Sequence, residues 1–141
     1  MEIQHSKSEQ ETLQIGEKLG RKLHPPRVIL LYGELGSGKT VLVRGLAKGL
    51  GMQDPTLVHS PSFTLVNQYA GKESTIYHID FYRLEGPRDL FSIGLEEILA
   101  TPSIVIIEWA EKLLLEPENP LKIRIRPNSS PDTRRLEIED G

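Results

Sequence analysis

Residues 33–40 read Gly-Glu-Leu-Gly-Ser-Gly-Lys-Thr, and few folds can use three glycines and a lysine packed so closely. The flanks say which kind of fold does. Upstream, Val28, Ile29, Leu30, Leu31 and Tyr32 make a short, nearly continuous apolar run, the pattern of a strand buried on both faces in a parallel sheet. Downstream, Val43, Leu46, Ala47 and Leu50 recur at helical spacing, and Gly51 suits a helix end. A strand, a glycine-rich turn and a helix in that order make a cradle for phosphate. A triphosphate needs more inward N–H donors than side chains can crowd around it, so the backbone must supply them. Gly33, Gly36 and Gly38 allow the positive φ angles and the close approach this requires. Lys39 would bridge β- and γ-phosphates as a point charge, and the Thr40 hydroxyl would ligate Mg2+. If the glycines served only a tight turn, Lys39 would stand at a helix start where the dipole opposes a cation.

The remaining pattern builds a sheet around this unit. Ser8 and Glu11 have capping-box spacing and predict a helix over 9–23, with Leu13, Leu19 and Leu23 inward and Pro25 and Pro26 stopping it. Residues 52–62 read as an exposed connection, followed by a strand over 63–69, a turn at 71–73 and a strand over 75–80. A helix is predicted over 88–99, carrying Leu90, Ile93, Glu97 and Ile98. A second buried strand over 104–107 ends at Glu108 and Trp109, and a short helical piece runs through 112–115. Alternation over 121–126 and again over 134–139 predicts a terminal antiparallel hairpin. The expected architecture is α/β, a P-loop NTPase three-layer sandwich with central parallel strands and an antiparallel C-terminal margin. One domain is expected over 1–141.

Phosphoryl chemistry needs a carboxylate near the metal, and in such sheets it stands at the carboxyl end of a strand neighbouring the first. Glu108 follows the strongest apolar run, and Asp80 ends the other candidate strand; either could instead be a satisfied surface acid or a cap. Ser60, Ser62 and Thr64 offer three hydroxyls on a proline-bounded segment at the chain position of switch loops, where a plain polar turn is the competing reading. Trp109, the only tryptophan, follows the candidate acid, which places an indole close to the nucleotide unless it serves only as packing.

Several classes are excluded or disfavoured. The chain has no cysteine, so thiolate metal sites, disulfides and cysteine nucleophiles are ruled out. A net charge of -3 gives no overall field toward nucleic acid. Lys122, Arg124 and Arg126 share one strand face and could form a local RNA patch, but a solvated edge is the favoured reading. The N-terminus lacks a signal-peptide pattern and no apolar run suits a membrane span, so the expectation is a cytoplasmic protein. A GTPase would carry Asn-Lys-x-Asp, which is absent. A P-loop kinase of a small metabolite remains the alternative enzyme, although a chain of 141 residues leaves little room for a lid.

Taken together, several segments in order resemble the TsaE (YjeE) family: the glycine-rich octapeptide, Ser60-Pro61-Ser62-Phe63-Thr64-Leu65-Val66, His78-Ile79-Asp80-Phe81-Tyr82-Arg83-Leu84, and Ile107-Glu108-Trp109. They cover most of residues 28–110. Ser62 departs from the threonine expected there but keeps the hydroxyl, and the C-terminal hairpin matches only weakly. The resemblance implies an ATPase needed for threonylcarbamoyladenosine modification of tRNA. It would act on a TsaB–TsaD assembly and touch tRNA only through that complex. It also implies ATP contacts at Leu35, Gly36, Ser37, Gly38, Lys39 and Thr40, Mg2+ at Thr40 and Glu108, a need for Asp80 in hydrolysis, and a nucleotide contact near Glu9.

Overall fold

The computed structural model describes residues 1–34, 36–61, 64–84, 93–113 and 116–140. Its centre is the predicted apolar run, now β2 (Arg27–Tyr32), in which Ile29, Leu30 and Leu31 have no exposed surface. A strand buried on both faces must be paired on both edges and covered on both sides, and β2 is. The other strands are β1 (Glu2–Ser6), β3 (Val66–Ala70), β4 (Thr75–Asp80), β5 (Ile104–Glu108), β6 (Leu121–Pro127) and β7 (Arg134–Asp140). They form a seven-stranded sheet in the order β1-β7-β6-β2-β5-β4-β3. The four strands β6, β2, β5 and β4 run parallel, and antiparallel strands close both margins.

On one face, α1 (Glu9–Arg21) and α2 (Lys39–Gly49) cover Ile29, Leu31, Ile104, Ile106 and Ile123. On the other, Phe81, Leu84 and Leu95 of the short α3 (Leu95–Leu99) pack on Leu30, Ile79, Val105 and Ile107. Helix α1 begins with half of its capping box: Ser8 Oγ accepts from the Glu11 N–H at 3.1 Å, while the Glu11 carboxylate reaches back past the N-cap to the Lys7 N–H at 3.1 Å. Helix α2 ends in a Schellman pattern, with Gly51 at φ 92 and the Met52 N–H reaching the Ala47 carbonyl at 3.0 Å.

Leu19 packs against the core and Leu23, just past the helix, is buried in it, as expected, but the fully buried positions of α1 are others. Thr12, Gly16 and Gly20 are buried, while Leu19 is only partly so. The reason is the backbone approach of the two helices. A Cβ built on Gly45 would lie 2.3 Å from the Leu13 carbonyl oxygen, and one on Gly16 would lie 2.7 Å from that of Leu42. Gly20 and Gly49 continue the seam one turn on. Close helix contact thus replaces large side chains with dispersion between backbones.

Other differences have local causes. Helix α1 stops at Arg21, short of 23, because Lys22 turns its N–H onto the Gly20 and Leu19 carbonyls, although Leu23 stays buried. Strand β1 was not expected, since Ile3 is the one apolar residue in Glu2–Ser6; it exists because β7 offers a free edge. Strand β3 starts at Val66 rather than 63, after Leu65 at φ 67 breaks the extended chain. Helix α3 starts only after Gly94 at φ 71, and the 88–92 part of the predicted helix lies outside the described residues. The helical piece predicted through 112–115 is a 3-10 turn, Ala110–Lys112, with 114 and 115 outside the described residues. Strand β4 and the β6–β7 hairpin stand where predicted. No described helix is long and apolar enough to cross a membrane.

Substituting Gly45→Ala should cost about 1–3 kcal/mol of stability, because the added methyl meets backbone that cannot rotate away. Urea unfolding with an unchanged slope and a lowered midpoint would register it; an unshifted midpoint would refute the tight seam.

Candidate functional site

The carboxyl ends of β2, β5 and β4 lie side by side. Leu31 pairs with Glu108, and Glu108 with Asp80, so the two predicted acids are cross-strand neighbours. From β2 the chain turns through the glycine-rich loop, with Gly36 at φ 76 and Gly38 at φ 102, a region open to glycine and costly for other residues. Gly38 is also the N-cap of α2, where no side chain caps the first amides and no acid stands in the first turn. The helix therefore offers its N–H groups and positive dipole end to whatever sits before it. A cavity of about 300 Å³ lies there, lined by Gly36, Gly38, Lys39, Thr40, Asp80 and Glu108.

Lys39 is held inside this cavity at 6 % exposure. Its ammonium donates to the Gly33 carbonyl and stands 4.2 Å from the centroid of the Trp109 ring. Burial pulls its pKa below the ordinary lysine value, and the carboxylates of Glu108, Asp80 and Glu111 push back. A cation at a helix N-terminus, partly dehydrated and facing two acids, is arranged to receive an anion of higher charge. Trp109, at φ 58 and ψ 44, occupies left-handed backbone space that costs a non-glycine residue on the order of 1–3 kcal/mol. That turn lays its indole over the lysine and 5.1 Å from the Tyr82 ring.

Both acids are 3 % exposed. Asp80 accepts the Tyr82 N–H at 2.8 Å, and Glu108 Oε2 is hydrogen-bonded to Nε2 of the fully buried His78. Among the described residues no group of three or more His, Asp or Glu side chains could hold a metal unaided. The donors at hand, two carboxylates and the Thr40 hydroxyl, are hard oxygens of the kind Mg2+ takes in small number beside phosphate and water, so the residues fit that ion.

Of the other predicted site residues, Glu9, Ser60 and Trp109 also line the cavity. Ser37 does not reach it: the side chain is buried and its Oγ has no hydrogen-bond partner among the described residues. Thr64 is turned away, its hydroxyl donating to Asn67 at 2.7 Å. Leu35 and Ser62 lie outside the described residues. Lys122 is paired with Glu116 at 2.8 Å, and Arg124 and Arg126 stand 3.9 and 3.6 Å from Glu137, so this face spends its charge on its own acids.

Thr12, Val41, Asp132 and Arg134 also line the cavity and were missed. Arg134 matters most. From the start of β7 its Nε donates to the Ser37 carbonyl at 2.7 Å, and its remaining nitrogens donate to Pro131 and Thr133 at 2.6 and 2.8 Å and to Gly36 at 3.4 Å. The guanidinium fork thus ties the terminal hairpin to the loop 97 residues earlier. No local pattern marks such a partner, because the contact depends on the β7–β6–β2 order of the folded sheet.

Residues 6–136 match the family model described as "Threonylcarbamoyl adenosine biosynthesis protein TsaE". A protein from Nostoc sp. named tRNA threonylcarbamoyladenosine biosynthesis protein TsaE is 43% identical over 118 residues, covering 81% of this chain and 71% of the relative. One of the same name from Treponema pallidum is 42% identical, covering 86% of this chain and 88% of the relative. The crystal structure of Bacillus subtilis YdiB superposes with a TM-score of 0.77 at 29% identity, covering 97% of this chain and 83% of that one.

Hydrogen bonds from a charged donor contribute about 1.5–3 kcal/mol each. Arg134→Ala should therefore speed amide hydrogen exchange in residues 36–40 by roughly 10- to 100-fold while protection in β2 and β5 stays as it was. Unchanged exchange in the loop would mean that the clasp does not hold it.

Proposed function

The chain belongs to the TsaE family, and on that premise we propose that it binds and hydrolyses ATP as a P-loop NTPase serving threonylcarbamoyladenosine modification of tRNA. The observation that supports this most is Lys39, buried at the uncapped start of α2 and facing Glu108 and Asp80 across one cavity. In the proposed complex the loop amides and the first turn of α2 take the β-phosphate oxygens. Lys39 leaves the Gly33 carbonyl and the Trp109 ring for the β- and γ-phosphates. Thr40 and Glu108 hold Mg2+, which when bound supplies positive charge to the same oxygens. Asp80, fixed by the Tyr82 N–H, accepts a hydrogen bond from the attacking water. That water's oxygen bonds to the γ-phosphorus as the bond to the β-bridging oxygen breaks, giving ADP and inorganic phosphate. Glu9 and Ser60 border the remaining opening.

The site as proposed works slowly by itself. Arg134 spends its guanidinium on backbone carbonyls, so the described loop has no arginine given over to the transition state. The TsaB–TsaD pair is the proposed partner, its assembly reset between turnovers by ATP binding and hydrolysis in the cytoplasm, with tRNA met only through that complex. One domain carries the whole site.

Lys39→Ala should weaken ATP binding by roughly 10- to 100-fold, the loss expected for a charge-assisted contact, and bring phosphate release to background. Wild-type Trp109 fluorescence should change when ATP and Mg2+ are added, because the ammonium moves off the indole. Phosphate release by the wild type should also need no added hydroxyl acceptor. Turnover that appears only with a small metabolite would replace this reading with a kinase. Undiminished affinity in the Lys39 variant would remove it.

A further inference from the structure

Glu108 is not held by its own backbone alone. It closes β5, and the only side chain hydrogen-bonded to its carboxylate among the described contacts is the imidazole of His78, two residues before Asp80 on β4. Strand geometry makes this contact possible. His78 pairs with Ile106 and Asp80 with Glu108, so residues 78, 80, 106 and 108 all point to one face of the sheet. His78 lies beneath the cavity with no exposed surface and does not line it, while Glu108 does. The Tyr69 ring, with its centroid 6.2 Å away, stands beside the imidazole.

The chemistry of the pair is directional. A carboxylate oxygen accepts and a ring N–H donates across this contact. The histidine must then donate, so Nε2 carries the proton. Nδ1 is buried with no hydrogen-bond partner among the described residues. The ring orientation that fits presents Nε2–H to Glu108. It commits Oε2 of Glu108 to His78 and leaves Oε1 as the oxygen the cavity can use.

We infer that His78 is a positioning residue for nucleotide-bound Mg2+: it fixes the rotamer of Glu108 and selects the oxygen presented to the cation, while touching neither cation nor nucleotide. This rests on the reading of Glu108 as the metal acid. Residues that orient a ligating group through its far side commonly change metal affinity by 10- to 100-fold when lost.

The test compares wild type with His78→Leu, which keeps the volume but not the donor, and His78→Gln, whose amide N–H can stand near the Nε2 position. Binding of a non-hydrolysable ATP analogue is titrated calorimetrically with EDTA and then across a Mg2+ series. His78→Leu should raise the apparent Mg2+ dissociation constant by roughly 10-fold or more, leave metal-free nucleotide binding unchanged, and be rescued in large part by His78→Gln. Equal loss in EDTA and in Mg2+ would make His78 merely structural and overturn the inference, as would an unchanged Mg2+ dependence. Glu108→Gln separates the two levels. If it leaves Mg2+ dependence intact, the metal-acid reading itself fails; if it removes that dependence while His78→Leu does not, only the role of His78 fails. Should His78→Leu fail to fold, nitrogen-15 NMR of the wild-type imidazoles still decides. The His78 ring should carry a proton on Nε2, held in the hydrogen bond to Glu108, and an Nε2 without a proton would overturn the inference.

Discussion

The parallel register of β2, β5 and β4 is the constraint on which the site depends. Because Leu31, Glu108 and Asp80 fall at one level of the ladder, the turn after β2 and the two acids open into the same space. One residue of slip in β5 would send Glu108 to the opposite face of the sheet and bring Ile107 to the cavity side. The ladder is protected against that slip by burial on both faces: Ile104, Ile106 and Ile107 are each at most 1 % exposed. Core packing here sets the position of charge, and the charges then act on Lys39, whose pKa burial lowers and the carboxylates push back up.

Two longer-range devices keep the loop in place. From below, the glycine seam between α1 and α2 fixes the axis of α2, and with it the direction of the amides at Lys39. From the side, Arg134 grips the Ser37 and Gly36 carbonyls and joins the loop to the terminal hairpin. The Ser37 carbonyl is thereby turned to the guanidinium, while the Ser37 N–H closes the loop on the Glu34 carbonyl at 3.1 Å. On the proposed reading the antiparallel margin is thus a brace for the nucleotide site as well as a sheet edge.

What could be read from the sequence was whatever a local pattern encodes. The run at Val28 to Tyr32, the glycine loop and the apolar spacing of α2 placed the strand, turn and helix correctly, and the strand ends gave Asp80 and Glu108 as neighbours of Lys39. What failed was set by pairing across the fold. Leu19 and Leu23 do reach the core, but the closest approach of α1 to α2 is made by backbone at Gly16 and Gly45, which apolar spacing does not announce. β1 carries too little apolar character to announce itself and depends on the edge of β7. Arg134 and Thr12 reach the cavity from opposite ends of the chain, and Thr64, close to Ser60 in sequence, turns to Asn67 instead. His78 has no local signature of its role, since only the β4–β5 register brings it to face Glu108.

A crystal structure with a non-hydrolysable ATP analogue and Mg2+ tests the central claim most directly. The account predicts the triphosphate against the amides of Gly36 to Thr40, Lys39 moved from the Gly33 carbonyl onto phosphate oxygens, and the cation between Thr40 and Glu108. A triphosphate bound outside this cavity, or a complex in which Lys39 still donates to Gly33 and neither acid approaches the cation, would contradict it.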